Sequence, residues 1–119
     1  KMYIDFPIDS EKTIPLALKV ADEITRMRQR IASMPSDING IPQLLKSLDR
    51  LEDELNILEF EMPDLLNKPY NEGMTIKARF IPSETMKTGE KIITKVIKPQ
   101  INYKGQLVQI AEVEVSTGE

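Results

Sequence analysis

The sequence predicts an α+β chain: a helical hairpin over residues 10–62, able to form a four-helix bundle in a dimer, followed by a small antiparallel β domain over residues 63–119. Three observations carry this. Ile41, Leu44, Leu48, Leu51, Leu55 and Leu58 recur at steps of three and four, a heptad seam on a helix. Met74, Ile76, Ala78 and Phe80 alternate with Thr75, Lys77 and Arg79, the period of a strand with one buried face. The charge also changes sign along the chain. Residues 1–67 carry 8 basic and 13 acidic side chains, residues 68–110 carry 8 basic and 3 acidic, and residues 111–119 add three Glu.

In chain order, residues 1–9 read as an extended arm, because Pro7 disfavours helix at Phe6. The first helix is expected from Ile14 to Ser33, with Thr13 as cap and Pro15 in the first turn. Its apolar positions are Ala17, Val20, Ala21, Ile24, Met27 and Ile31, and Lys19–Glu23 and Asp22–Arg26 fall at ion-pair spacing on the wet face. Pro35 and Gly40 punctuate a turn over 34–40. The second helix starts near Ile41 with Pro42 in its first turn. A short turn between helices implies an antiparallel pair.

Met62-Pro63-Asp64 breaks the helix, and residues 67–73 form a turn-rich link. The first strand follows, with Phe80 expected on its buried side. The second covers 91–97 with Ile92, Ile93, Val96 and Ile97, and Pro99 ends it or marks an edge. Lys104-Gly105 reads as a hairpin tip. The last strand, 106–115, has apolar residues on both faces in its first half and is expected to be central, while residues 116–119 should fray.

The composition excludes much chemistry. The chain has no Cys and no His, so disulfides, cysteine–zinc sites and thiol or imidazole catalysis are out. Six Ser lack a His base, and Ser83 with Lys87 reads as a loop pair. Glu52, Asp53 and Glu54 point in different directions on a helix and do not converge on a metal. Glu112 and Glu114 share a strand face, where salt bridges to nearby Lys are expected. No phosphate-binding glycine motif occurs. The chain is therefore expected to bind rather than catalyse, without cofactor or metal. No signal peptide and no membrane-length apolar run is seen, so a cytoplasmic protein without membrane contact is expected. With 40% apolar and 5% aromatic residues the core is thin, and a homodimer is expected to supply burial. The basic middle segment suits an acidic partner. Nucleic acid is disfavoured, since Tyr70, Phe80 and Tyr103 are the only aromatic residues after residue 67.

The order helix, helix, turn, small β domain resembles the GrpE family, dimeric nucleotide exchange factors of the Hsp70 chaperone DnaK. The residues carrying the likeness are Lys68-Pro69-Tyr70-Asn71-Glu72-Gly73-Met74, similar to the family's turn into its first strand. Thr88-Gly89-Glu90 with Ile92-Ile93 is similar to a glycine turn and the strand after it. Val108-Gln109-Ile110-Ala111-Glu112-Val113-Glu114-Val115 is similar to the closing strand. Gln109 stands where the family has a basic residue, and Asn102 where Gly precedes the aromatic. The family's first-strand His is absent. The resemblance implies a co-chaperone that binds an Hsp70-type ATPase domain and promotes ADP release by favouring the open cleft. Its implied partner-binding residues are Tyr70, Asn71, Met74, Tyr103, Gly105 and Gln109. Its dimer seam is Ile41, Leu44, Leu48, Leu51, Leu55 and Leu58. Two other readings stay open on sequence alone: a structural adaptor, and a single-stranded nucleic-acid-binding β domain.

Overall fold

A computed structural model describes residues 10–119, so the expected arm at 1–9 lies outside the described residues. Two helices, α1 (Ser10–Ala32) and α2 (Ile41–Ile57), precede six strands. The strands are β1 (Phe60–Glu61), β2 (Ile76–Ser83), β3 (Lys91–Lys98), β4 (Ile101–Tyr103), β5 (Gln106–Gln109) and β6 (Ala111–Gly118). The α+β class and the order of helices before strands agree with the sequence.

α1 starts earlier than the Thr13 cap implies, so Pro15 lies inside the helix rather than in its first turn. Ala17, Ala21 and Ile24 are buried, and Val20 and Ile31 pack partly against them. Met27, expected on this face, is instead exposed. The pairs at i,i+4 do not form either: Arg26 pairs with Glu23, and Asp22 accepts a hydrogen bond from Gln109. Gly40 opens α2 in the left-handed region, φ 94°, which a glycine reaches without strain.

The strands make two separate three-stranded sheets, β1-β4-β5 and β2-β6-β3. The expected last strand is two strands. β5 is an edge of the first sheet, and β6 is the centre of the second. β6 lies antiparallel to β3 but parallel to β2, which corrects the wholly antiparallel expectation. Its alternate residues Ala111, Val113 and Val115 are fully buried, so it takes the central place and β2 and β3 are held apart on its flanks. Period two fixes a strand's faces, not its direction. Two register shifts in β3, between Ile93 and Lys95 and between Val96 and Lys98, explain why its apolar residues do not alternate. The residues expected to fray lie largely in the sheet: β6 runs to Gly118, and Thr88 Oγ1 donates to the Glu119 carbonyl at 2.8 Å.

Two cores result. In the first, Ala17, Ala21, Ile24, Leu48 and Leu55 from the helices meet Phe60 and Ile101 from the first sheet. In the second, Ile93, Ala111, Val113 and Val115 are covered by Leu65, Tyr70 and Met74 of the 62–74 segment. Phe80 does not join it and is 48% exposed, against expectation. Phe80 lies in the middle of edge strand β2, where Tyr70 covers only one side of its ring.

Candidate partner-binding surface

The outer face of the second sheet is built by the alternation that buries its inner face. Ala111, Val113 and Val115 point inward, so Glu112 and Glu114 point outward. The parallel register sets Lys77 beside Glu112 and Arg79 beside Glu114, and the antiparallel register sets Lys98 and Lys95 on their other side. The result is one acidic row between two basic rows. Lys77 Nζ reaches Glu112 Oε1 at 3.3 Å and Arg79 reaches Glu114 at 4.0 Å, as the sequence led one to expect for these carboxylates. Lys77 and Arg79 remain largely exposed. Four cations against two carboxylates leave the face positive, which favours encounter with an acidic surface.

The six residues singled out for partner contact fall into two groups on different sheets. Tyr70, Asn71 and Met74 lie together on the segment covering the second core. The Tyr70 ring meets Phe80 edge to face, centroids 5.4 Å apart, and its N–H donates to the Lys91 carbonyl at 2.9 Å. Asn71 Oδ1 accepts from the Gly73 N–H at 3.0 Å and shapes the turn, while Met74 packs on the core. Lys91 Nζ stands 5.8 Å from the Phe80 ring centroid and 3.6 Å from Glu72, so Phe80 presents an exposed aromatic within a charged surround.

Tyr103, Gly105 and Gln109 lie on the first sheet, near the helices. Tyr103 stacks on Phe60 with centroids 4.4 Å apart. Lys104 and Gly105, both at positive φ (51° and 78°), form the two-residue tip joining β4 to β5. Gln109 Nε2 donates to Asp22 Oδ1 and to the Pro99 carbonyl, both at 2.9 Å. That amide is engaged inside the molecule, tying β5 to α1.

The heptad seam also divides. Leu48 and Leu55 are 5% and 7% exposed and face α1, with Ile41 half-buried at the start of the same row. Leu44, Leu51 and Leu58 are 52%, 45% and 52% exposed. Helix α2 thus satisfies one row within the chain and presents the other outward. Arg28 holds the hairpin closed, its guanidinium 2.8 Å from Asp49 and 2.5 Å from Glu52. Burial works against its charge, but the hydrogen bonds and charges of Glu52 and then Asp49 outweigh that, and its pKa is raised.

The six-residue choice did not include the residues that carry the exposed surface. Lys77, Arg79, Lys95 and Lys98 were legible as basic, and the i,i+2 spacing of Lys77 and Arg79 opposite Ile76 and Ala78 was the signal for one shared face. The exposed apolar residues Leu107, Val108 and Ile110 carried the opposite signal, since apolar residues on both faces suggest burial. No helix among the described residues is long and apolar enough to cross a membrane. No family model matches the chain, and none of the curated proteins does.

Proposed function

We propose that this chain acts by binding alone, as a GrpE-like co-chaperone. Two copies pair through α2, and the β domain docks on an Hsp70-type ATPase domain and favours its open nucleotide cleft. The observation that carries the reading is the outer face of β2-β6-β3, where Lys77, Arg79, Lys95 and Lys98 flank Glu112 and Glu114. It is a rigid, positive, sheet-borne surface suited to an acidic protein domain. Phe80, exposed on the opposite face of the same edge strand and packed edge to face on Tyr70, lies outside that surface. Pairing is supported by the outward row Leu44, Leu51 and Leu58.

Such a protein needs no catalytic group or cofactor. It works through differential affinity for open and closed partner states, and ADP lowers its affinity by the same factor by which it lowers that of ADP. The test is release of a fluorescent ADP analogue from an Hsp70-type ATPase domain. Release should accelerate with this chain, and Lys77→Gln/Arg79→Gln, which removes the charges without setting Glu opposite Glu112 and Glu114, should remove most of the acceleration with little change in melting temperature. Binding without faster release would leave a structural adaptor. No binding to any Hsp70-type domain would sink the proposal.

A further inference from the structure

A groove of about 980 Å³ opens between the second half of α1, the 62–66 segment and the Thr94–Val96 part of β3. The apolar part of its wall is formed by Met62, Pro63, Leu65, Val96 and Pro99. The strand edge beside it is open. The preceding segment pairs with β3 only at Lys91 and Ile93, through Tyr70, Asn67 and Lys68, and among the described residues no backbone partner continues beyond Ile93 on that side.

The polar groups of the groove are unequally satisfied. Arg28 is held by Asp49 and Glu52, and Arg26 by Glu23. Asp64 accepts from the Leu66 N–H at 3.2 Å, and Glu114 faces Arg79. Arg30 and Lys95 line the groove, are exposed, and have no ion pair among the described residues. Gln29 also lines it, and its amide nitrogen is out of contact with solvent and has no acceptor. A buried donor without an acceptor is costly, of order 1–3 kcal/mol.

We propose that this groove holds an extended segment of a partner protein bearing a carboxylate between apolar residues. Each part of such a segment has a place. Its backbone takes the open edge of β3 and offers a carbonyl to Gln29. Its carboxylate meets Arg30 and Lys95. Its apolar side chains lie on Leu65 and Val96. A nucleic-acid strand fits less well, because no aromatic residue lines the groove for stacking and Asp64 and Glu114 oppose a continuous phosphate chain. This site shares Lys95 and Glu114 with the sheet face of the exchange-factor reading, but its test uses no ATPase domain, so the two fail separately.

The test is an NMR titration of the ¹⁵N-labelled full chain with a peptide of about twelve alternating Val and Ser residues carrying one central Glu, about 40 Å when extended. Saturable shifts are expected at Gln29, Arg30, Leu65, Lys95 and Val96. The peptide with Gln for that Glu should bind at least about tenfold more weakly, the size of one lost charge-assisted hydrogen bond. Arg30→Gln and Lys95→Gln should weaken binding similarly with little change in melting temperature. Gln29→Leu should raise the melting temperature yet weaken the peptide, a combination a purely structural role would not give. Absence of shifts in the groove, equal affinity for the Gln peptide, or an oligothymidine that displaces the Glu peptide from these residues would overturn the proposal. The Gln-peptide arm holds even if a variant fails to fold.

Discussion

At Gly118 a β-carbon would stand 1.7 Å from the carbonyl oxygen of Lys87, so only glycine lets the end of β6 pass the 86–90 loop. The same contact ties the two together. The Gly118 N–H donates to the Glu90 carbonyl at 2.9 Å, and its own carbonyl accepts from the Gly89 N–H at 3.1 Å. Gly118→Ala should therefore force backbone, not a side chain, to move, at a cost of about 1–3 kcal/mol. Urea unfolding with an unchanged slope and a lowered midpoint is the expected result, and an unshifted midpoint would mean the loop yields freely. The glycine itself was visible in the sequence, but the contact that demands it joins segments about thirty residues apart, and nothing local in a terminal Ser-Thr-Gly-Glu run announces it.

Between elements, Arg28 is the tie from α1 to α2, reaching two acidic residues one turn apart, and its side chain is one-third exposed. Arg28→Met should lower stability by about 1–2 kcal/mol, above the norm for surface pairs because Glu52 is left partly buried without its partner. The sign of the pH dependence follows from the raised pKa. A raised folded-state pKa gives a contribution that is complete below the guanidinium's ordinary value and is lost only as pH climbs through the raised one. The difference between wild type and Arg28→Met in thermal melts should thus stay constant from neutral pH to about pH 10. Added salt should shrink it. A difference that vanishes within that alkaline range would refute the pairing.

For the whole molecule, size and exposed area are out of proportion. The chain measures 61 × 40 × 16 Å and exposes 8797 Å². A folded monomer of its 13.6 kDa mass exposes roughly 6,600 Å². A thin outline with two separate cores raises the exposed area by itself, so pairing rests on the outward leucine row of α2 rather than on total area. The two rows of α2 separate folding from pairing. Leu48→Ala, in the core, should cost about 2–5 kcal/mol at any protein concentration. Leu51→Glu, on the outward row, should leave helix content intact but convert a dimer to a monomer in analytical ultracentrifugation. A wild-type chain that sediments as a monomer at high micromolar concentration would remove the pairing proposal.

Features that depend on neighbours along the chain were legible in residue order alone. Helical spacing gave α2 and its Pro42 start, period two gave β2, and Lys104-Gly105 gave the β4–β5 tip, because backbone geometry repeats locally. Tertiary structure decided what depends on distant partners. Only packing against α1 could split the leucine seam into an inward and an outward row, since both rows look alike in a heptad. Only the insertion of β6 between β2 and β3 could align Lys77, Arg79, Lys95 and Lys98 beside Glu112 and Glu114, because strand order and direction are set by which residues bury best across the whole chain. Gln109 turned inward for the same reason: its hydrogen-bond partner, Asp22, lies 87 residues away.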